Sequence, residues 1–401
     1  MADEVQEFDR YQRELNLRLT KGRPSRPSLE ARRAEERAKA FQLIRGVDAY
    51  VVGLSHAIKR VVMGLLSDGQ VKPGKAVCGH ILLEAVPGTA KTLISETLAK
   101  LVDLKFSRIQ MDADKRPSDI IGFYEQMDGG GHLEFTKGPI FANIVLIDEV
   151  NRARPEVKGA LLQAMAEREV TVDNVTHHLD EPFFVLANQN PIEQEGTFPL
   201  VEAELDRLIA KIRIEYISRA EEIEMVRRVS HFAEERVTAI PGLDRARVVA
   251  IRKFIRESMY VDPRIMAYAV DLVRATRPGE ARHAACLQDL VLDGRSVIRV
   301  GAAPRASVFL VNFAKTEAFL SGGADDPGRD HVRPVDVKEV AFDVLNHRLV
   351  LDEIIESMLL GKRPVRYLNA SLQPEGERVL RTRQELLAQV VRRVLRGVLV
   401  P

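Results

Sequence analysis

The chain has 401 residues, 45% hydrophobic and 29% charged, which excludes a largely disordered or collagen-like protein and fits two or three domains. Its 59 basic and 58 acidic residues leave a formal charge of +1, so no global field draws it to nucleic acid or a membrane surface, while local patches stay open. Cys78 and Cys286 are too few for a disulfide framework and suit a reducing compartment. The acidic start and the lack of an apolar run near ~18 residues predict a cytoplasmic chain.

Residues 1–40 are rich in Arg and Glu, and Ser28 precedes a run of strong helix formers ending at Arg37, which predicts a solvated helical arm rather than a docking element. Over 41–217 short apolar runs, His80–Leu83, Ile144–Ile147 and Phe183–Ala187, read as buried strands. Amphipathic stretches lie between them, such as Pro155–Arg168 with Val157, Leu161, Leu162 and Met165 on one face. This alternation predicts an α/β domain whose parallel sheet is flanked by helices. Over 218–355 helical patterning dominates, as in Ala220–Ala233 and Asp336–Met358, and predicts a mostly helical second domain. The extension 356–401 carries a basic amphipathic helix, in which Leu380, Leu387, Val391, Val394 and Val398 recur among arginines. Its apolar face is expected to pack on the parent domain or a neighbouring subunit, with membrane-surface or partner binding as the alternative.

The strongest local signal is Glu84-Ala85-Val86-Pro87-Gly88-Thr89-Ala90-Lys91-Thr92, between a predicted strand and a helix over Leu93–Leu101, the setting of a phosphate-binding loop. Backbone amides of Val86 to Ala90 would cradle phosphate oxygens, Lys91 would neutralise them, and the Thr92 hydroxyl would ligate Mg²⁺. Ala85 and Ala90 stand where the consensus has glycine. Ala90 is expected at a helix entry that alanine tolerates; Ala85 is the awkward one if its position needs a positive φ. Ile144–Ile147 runs into Asp148-Glu149, which would supply a metal ligand and a base for the attacking water, with a solvated helix cap as the other reading. The strand ending in Asn188-Gln189-Asn190 offers amides for a γ-phosphate or water. Arg207, beside Asp206, reads either as a transition-state finger or as half of a surface ion pair.

Together the stretches Gly79–Gly88, Arg116–Gly122, Gly138–Asn143, Asp148–Ala153, Ala160–Arg168 and Gln189–Thr197 resemble the MoxR family of AAA+ ATPases, and Gly301–Ala306 and Val344–Leu349 resemble that family's lid. The likeness spans about 41–355 in the family's order and leaves out the arm and the C-terminal helix. It implies a P-loop domain with a C-terminal helical lid, with Lys91 and Thr92 as Walker A and Asp148 and Glu149 as Walker B. It further implies Asn190 as sensor 1, Arg207 as arginine finger, Arg305 as a sensor 2 reaching the same subunit's γ-phosphate, and Val52-Gly53 near the adenine. Departures are Ala85, Leu54-Ser55 and Leu208. Two hairpins, about 120–138 and 169–182, would face a ring's pore; His177-His178 is expected to be polar turn decoration rather than a metal pair.

The resemblance thus implies an ATP- and Mg²⁺-dependent motor that assembles as a homo-oligomeric ring, a hexamer, and remodels or activates a protein client, commonly with a von Willebrand factor A-domain adaptor. Nucleic acid and direct membrane contact are not expected as partners. The alternatives are a nucleic-acid translocase, disfavoured by Glu125, Asp128 and Glu134 in the first hairpin, a metal-chelatase motor subunit, and a nucleotide-binding scaffold that no longer hydrolyses.

Overall fold

A computed structural model describes residues 26–69, 77–85, 88–126, 133–190, 197–231, 237–281, 286–287, 291–292, 295–322, 329–360 and 382–401. Val86, Pro87, the first hairpin's tip and the stretch 361–381 therefore lie outside the described residues, as do the first 25 residues of the expected arm. The helices of seven residues or more among the described residues are α1 (Arg26–Tyr50), α2 (Ser55–Leu66), α3 (Lys91–Leu101) and α4 (Pro155–Glu167), then α5 (Arg219–His231), α6 (Arg245–Ser258), α7 (Pro263–Arg274), α8 (Arg305–Leu320), α9 (Pro334–Leu345), α10 (Glu353–Leu359) and α11 (Arg383–Gly397).

Five strands form the central sheet: β1 (Ile81–Ala85), β2 (Phe106–Gln110), β5 (Ile144–Asp148), β8 (Phe184–Gln189) and β9 (Ala210–Ile214). They lie in the order β2-β5-β8-β1-β9, all pairs parallel. Every residue of β1 and β5 is buried, as a sheet covered on both faces requires. Alternate strand residues feed two apolar clusters. Ile81, Leu83 and Ala85 join α1, α2 and α3 on one face, and that cluster continues without a break into α8, α9 and α11. Leu82, Val145 and Ile147 pack on the other face against α4.

Two antiparallel hairpins stand out from the sheet: β3 (Gly122–Gln126) with β4 (Leu133–Lys137), and β6 (Glu169–Val172) with β7 (Val175–His178). Gly122 opens the first at φ +96, where a Cβ would fall 2.2 Å from the Thr136 carbonyl oxygen. The turn of the second is Asp173-Asn174, both at positive φ. His177 is therefore not turn decoration. It stacks on Phe135 with ring centroids 3.8 Å apart, and its Nε2 lies 3.1 Å from the Tyr124 hydroxyl, so it ties one hairpin to the other.

Two further expectations are corrected. The described part of the arm is docked, because Arg33, Glu36 and Arg37 of α1 are buried. Arg37 Nε donates to the Phe319 carbonyl at 2.7 Å and its Nη2 to that of Ser321, so one guanidinium caps the end of α8. The pattern over Asp336–Met358 is not one helix: α9 and α10 are separated by Val350–Leu351, which pairs with Ile298–Val300. The C-terminal helix packs on α9 and α10 of its own chain, burying Leu386, Leu387, Val390, Val391 and Val394.

Candidate functional site

Parallel strands end on a common edge, and their register brings the chemistry together. Gln110 of β2 pairs with Asp148 of β5, Ile147 with Ala187 of β8, and Gln189 with Glu84 of β1. Beyond that edge lies a cavity of about 390 Å³ lined by Ala85, Gly88, Thr89, Ala90, Lys91, Thr92, Arg108, Gln110, Asp148, Glu149, Asn188 and Asn190, among others.

The loop enters α3 through two left-handed residues. Gly88 sits at φ +83, and a Cβ there would meet nothing within 4 Å. Ala90, the helix N-cap, has φ 54 and ψ 19. The strained alanine is thus Ala90, not Ala85, which is an ordinary buried residue of β1. For an L-residue the left-handed region costs about 1–2 kcal/mol, and a glycine would avoid it. Lys91 starts the helix, its Nζ 3.5 Å from the Ala85 carbonyl. Burial holds its amine below the ordinary lysine value, and the nearby Asp148 and Glu149 charges counter that.

Asp148 is buried and accepts from Arg108 Nε at 2.7 Å on Oδ2 and from Asn188 Nδ2 at 3.2 Å on Oδ1. Asn188 Oδ1 is buried with no hydrogen-bond partner among the described residues. Glu149 occupies the left-handed region at φ 54, a conformation costly enough in a non-glycine residue to mark a constrained position. Its Oε2 lies 2.6 Å from Arg152 Nε. The four side chains expected to carry phosphate, metal and water chemistry, Lys91, Thr92, Asp148 and Glu149, therefore meet at one cavity, and Asn190 lines it too.

Four expected residues do not line it. Arg305, at the start of α8, is paired with Asp206, Nη1 to Oδ2 at 3.5 Å. Asp206 holds it together with Arg348, whose Nε lies 3.1 Å from Oδ1. Arg207 is half-buried, donates from Nη1 to the Ala203 carbonyl at 3.4 Å, and its buried Nε has no partner among the described residues. Val52 and Gly53 do not line the cavity, and Gly53 packs against Ile217 and Glu221. Sequence reasoning missed Arg108, and it offered Asn188 to phosphate or water; both bind Asp148. A charged residue inside β2 was the available signal for the first.

The profile of the ATPase family associated with various cellular activities (AAA) matches residues 80–210, and that of the AAA lid domain matches 295–359. Chaperone MoxR1 of Mycobacterium tuberculosis is 39% identical over 324 residues, covering 79% of this chain and 78% of that one. The chain belongs to the MoxR family of AAA+ ATPases. Protein MoxR of Methylorubrum extorquens is 28% identical over 80% of this chain and 90% of its own. A Cytophaga hutchinsonii crystal structure assigned as an ATPase superposes with a TM-score of 0.74 at 37% identity, covering 94% of this chain and 98% of that one. The MoxR relationship accounts for the P-loop sheet and the lid.

The donor set fits a magnesium nucleotide. Thr92 and Asp148 offer hard oxygen ligands, and the Arg108 guanidinium already places a cation on Asp148 Oδ2. Among the described residues no group of three or more His, Cys, Asp and Glu side chains could hold a metal. A Mg²⁺ here would thus share its coordination with phosphate oxygens and water. No helix among the described residues is long and apolar enough to cross a membrane.

Proposed function

We propose that this MoxR-family chain hydrolyses ATP in a homo-oligomeric ring, a hexamer, and uses the turnover for chaperone-like remodelling or activation of a protein partner. The observation that carries this reading is the convergence of Lys91, Thr92, Asp148, Glu149 and Asn190 on one cavity at the strand ends. Lys91 and the amides at Gly88–Ala90 bind the phosphates. Thr92 and Asp148 would hold Mg²⁺, which when bound neutralises charge on the β- and γ-oxygens. Glu149 accepts the proton of the attacking water, and Asn190 orients that water or the γ-phosphate. Arg207, half-buried and outside its own subunit's cavity, is suited to complete a neighbour's site, while Asp206 ties it to the lid through Arg305 and Arg348. The chaperone role rests on the relative named Chaperone MoxR1, and a von Willebrand factor A-domain adaptor on the family resemblance.

Steady-state ATPase activity with Mg²⁺, followed against protein concentration, tests this reading. Turnover per subunit should rise with concentration and collapse in Arg207→Ala while nucleotide binding persists. The strained Ala90 and the Arg152 hold on Glu149 favour one alternative, a ring that binds nucleotide without hydrolysing it. Binding with background turnover in the assembled state would select that scaffold.

A further inference from the structure

The phosphate loop hangs from the end of β1, and its last polar anchor is Glu84, only 8% exposed. Such a carboxylate is tolerated in the interior only if its oxygens are bonded. Oε1 accepts from Gln189 Nε2 at 3.0 Å and from Lys211 Nζ at 3.1 Å, which bind β1 to its neighbours β8 and β9. Oε2 accepts from Gln384 Nε2 at 2.7 Å, and Gln384 belongs to α11, 300 residues further along the chain. One side chain thus joins the loop strand, the strand that carries Asn188 and leads to Asn190, the edge strand β9 and the C-terminal helix.

Gln384 is itself held in place. Thr382 caps α11 by accepting from the Glu385 amide at 3.2 Å, and the Glu385 carboxylate accepts from the Thr382 amide at 3.3 Å. Arg383 is tied to Glu356 of α10, Nε to Oε1 at 3.7 Å. The first turn of α11 is thus fixed to the lid on one side and to the sheet on the other. Neither matched profile reaches this helix.

We infer that Gln384 is a positioning residue for the phosphate loop, so that docking of the C-terminal helix and nucleotide affinity are linked. The inference rests on the cavity being a nucleotide site. Removing the Gln384 amide leaves a buried carboxylate oxygen without that donor, which loosens the strand end from which Ala85 to Lys91 are suspended. Linkage is reciprocal, so nucleotide also protects α11.

The test uses the full chain and ADP as probe. Gln384→Ala should raise the ADP dissociation constant by about fivefold or more, the scale of a typical coupling between sites. In turnover assays most of the effect should fall on KM for ATP rather than on kcat. Glu84→Gln combined with Gln384→Glu reverses donor and acceptor and should recover much of the affinity. Amide hydrogen exchange over 383–397 should slow when ADP is added to the wild-type chain. Unchanged affinity in a Gln384→Ala variant of normal melting temperature overturns the inference, and so does a loss of affinity explained by a matching loss of stability. Lys91→Ala separates the two readings. A wild-type chain that binds ADP no better than this variant removes the nucleotide site itself, whereas a clear difference leaves the site standing whatever Gln384 does.

Discussion

Arg108 donates to Asp148 across neighbouring strands, Nε to Oδ2 at 2.7 Å, with the carboxylate buried and the guanidinium half exposed. Were Asp148 to hold Mg²⁺, as proposed, the arginine would compete with the metal for the same carboxylate. Arg108→Ala should lower the Mg²⁺ concentration for half-maximal turnover by about threefold, a difference near 0.6 kcal/mol in this partly exposed pair. A Mg²⁺ titration of ATPase activity reads this directly; an unchanged or higher requirement would show that Arg108 helps the metal rather than displacing it.

The two alanines of the phosphate loop should respond to glycine in opposite ways. Ala90→Gly removes a left-handed alanine and should stabilise the fold by up to about 1 kcal/mol, after the extra freedom of glycine in the unfolded chain is deducted. Ala85→Gly weakens a buried strand and should cost about 1 kcal/mol. Denaturant unfolding of both variants decides the matter, and the same sign for both would mean that the Ala90 backbone carries no strain.

Glu149 is held by Arg152 at 2.6 Å and is expected to supply the base. Glu149→Gln should cut turnover by about 10²–10⁴-fold while nucleotide affinity stays within a few-fold. Single-turnover hydrolysis together with equilibrium binding separates the two effects. Near-normal hydrolysis would assign proton transfer to another group.

The junction of α2 with the lid contains a cluster in which Arg60, 2% exposed, meets Glu317 at 2.6 Å, Asp343 at 2.8 Å and Glu339 at 3.2 Å. Burial pushes the Asp343 carboxyl up to about 6 from 3.8, against the pull of Arg60. Between those values the folded chain keeps a proton that the unfolded chain releases, so this group's contribution to stability falls as pH rises from about 4 to about 6 and is least favourable above that. Asp343→Asn deletes the titration. Its melting temperature relative to the wild-type chain should therefore rise over that pH window, and a pH-independent difference would assign the buried proton elsewhere.

Local pattern alone carried three of the five sheet strands, the phosphate loop and the Asp148-Glu149 pair into view, because each is written within a few consecutive residues. A run of four apolar residues ending in two carboxylates needs no distant partner to be recognised. The helical second domain was legible for the same reason, and the family resemblance identified it as a lid, although Val350–Leu351 broke the apparent continuity of Asp336–Met358: two residues paired to a distant strand leave almost no periodic trace.

What the tertiary structure alone decided are relationships between residues far apart in sequence and the backbone angles that packing imposes. The left-handed turn fell on Ala90 rather than Ala85 because β1 runs on through Ala85 and the reversal occurs only where α3 begins. Arg305 turned to Asp206, His177 settled on Phe135, Arg37 capped the end of α8, and Gln384 reached Glu84. No propensity or spacing encodes such pairs. The chain determined by itself which segments fold and which chemistry they bring to the strand ends. Which charged side chains are buried, and against what, was settled when the sheet, the lid and the terminal helices packed together, since a buried polar group must find its partner wherever the fold supplies one.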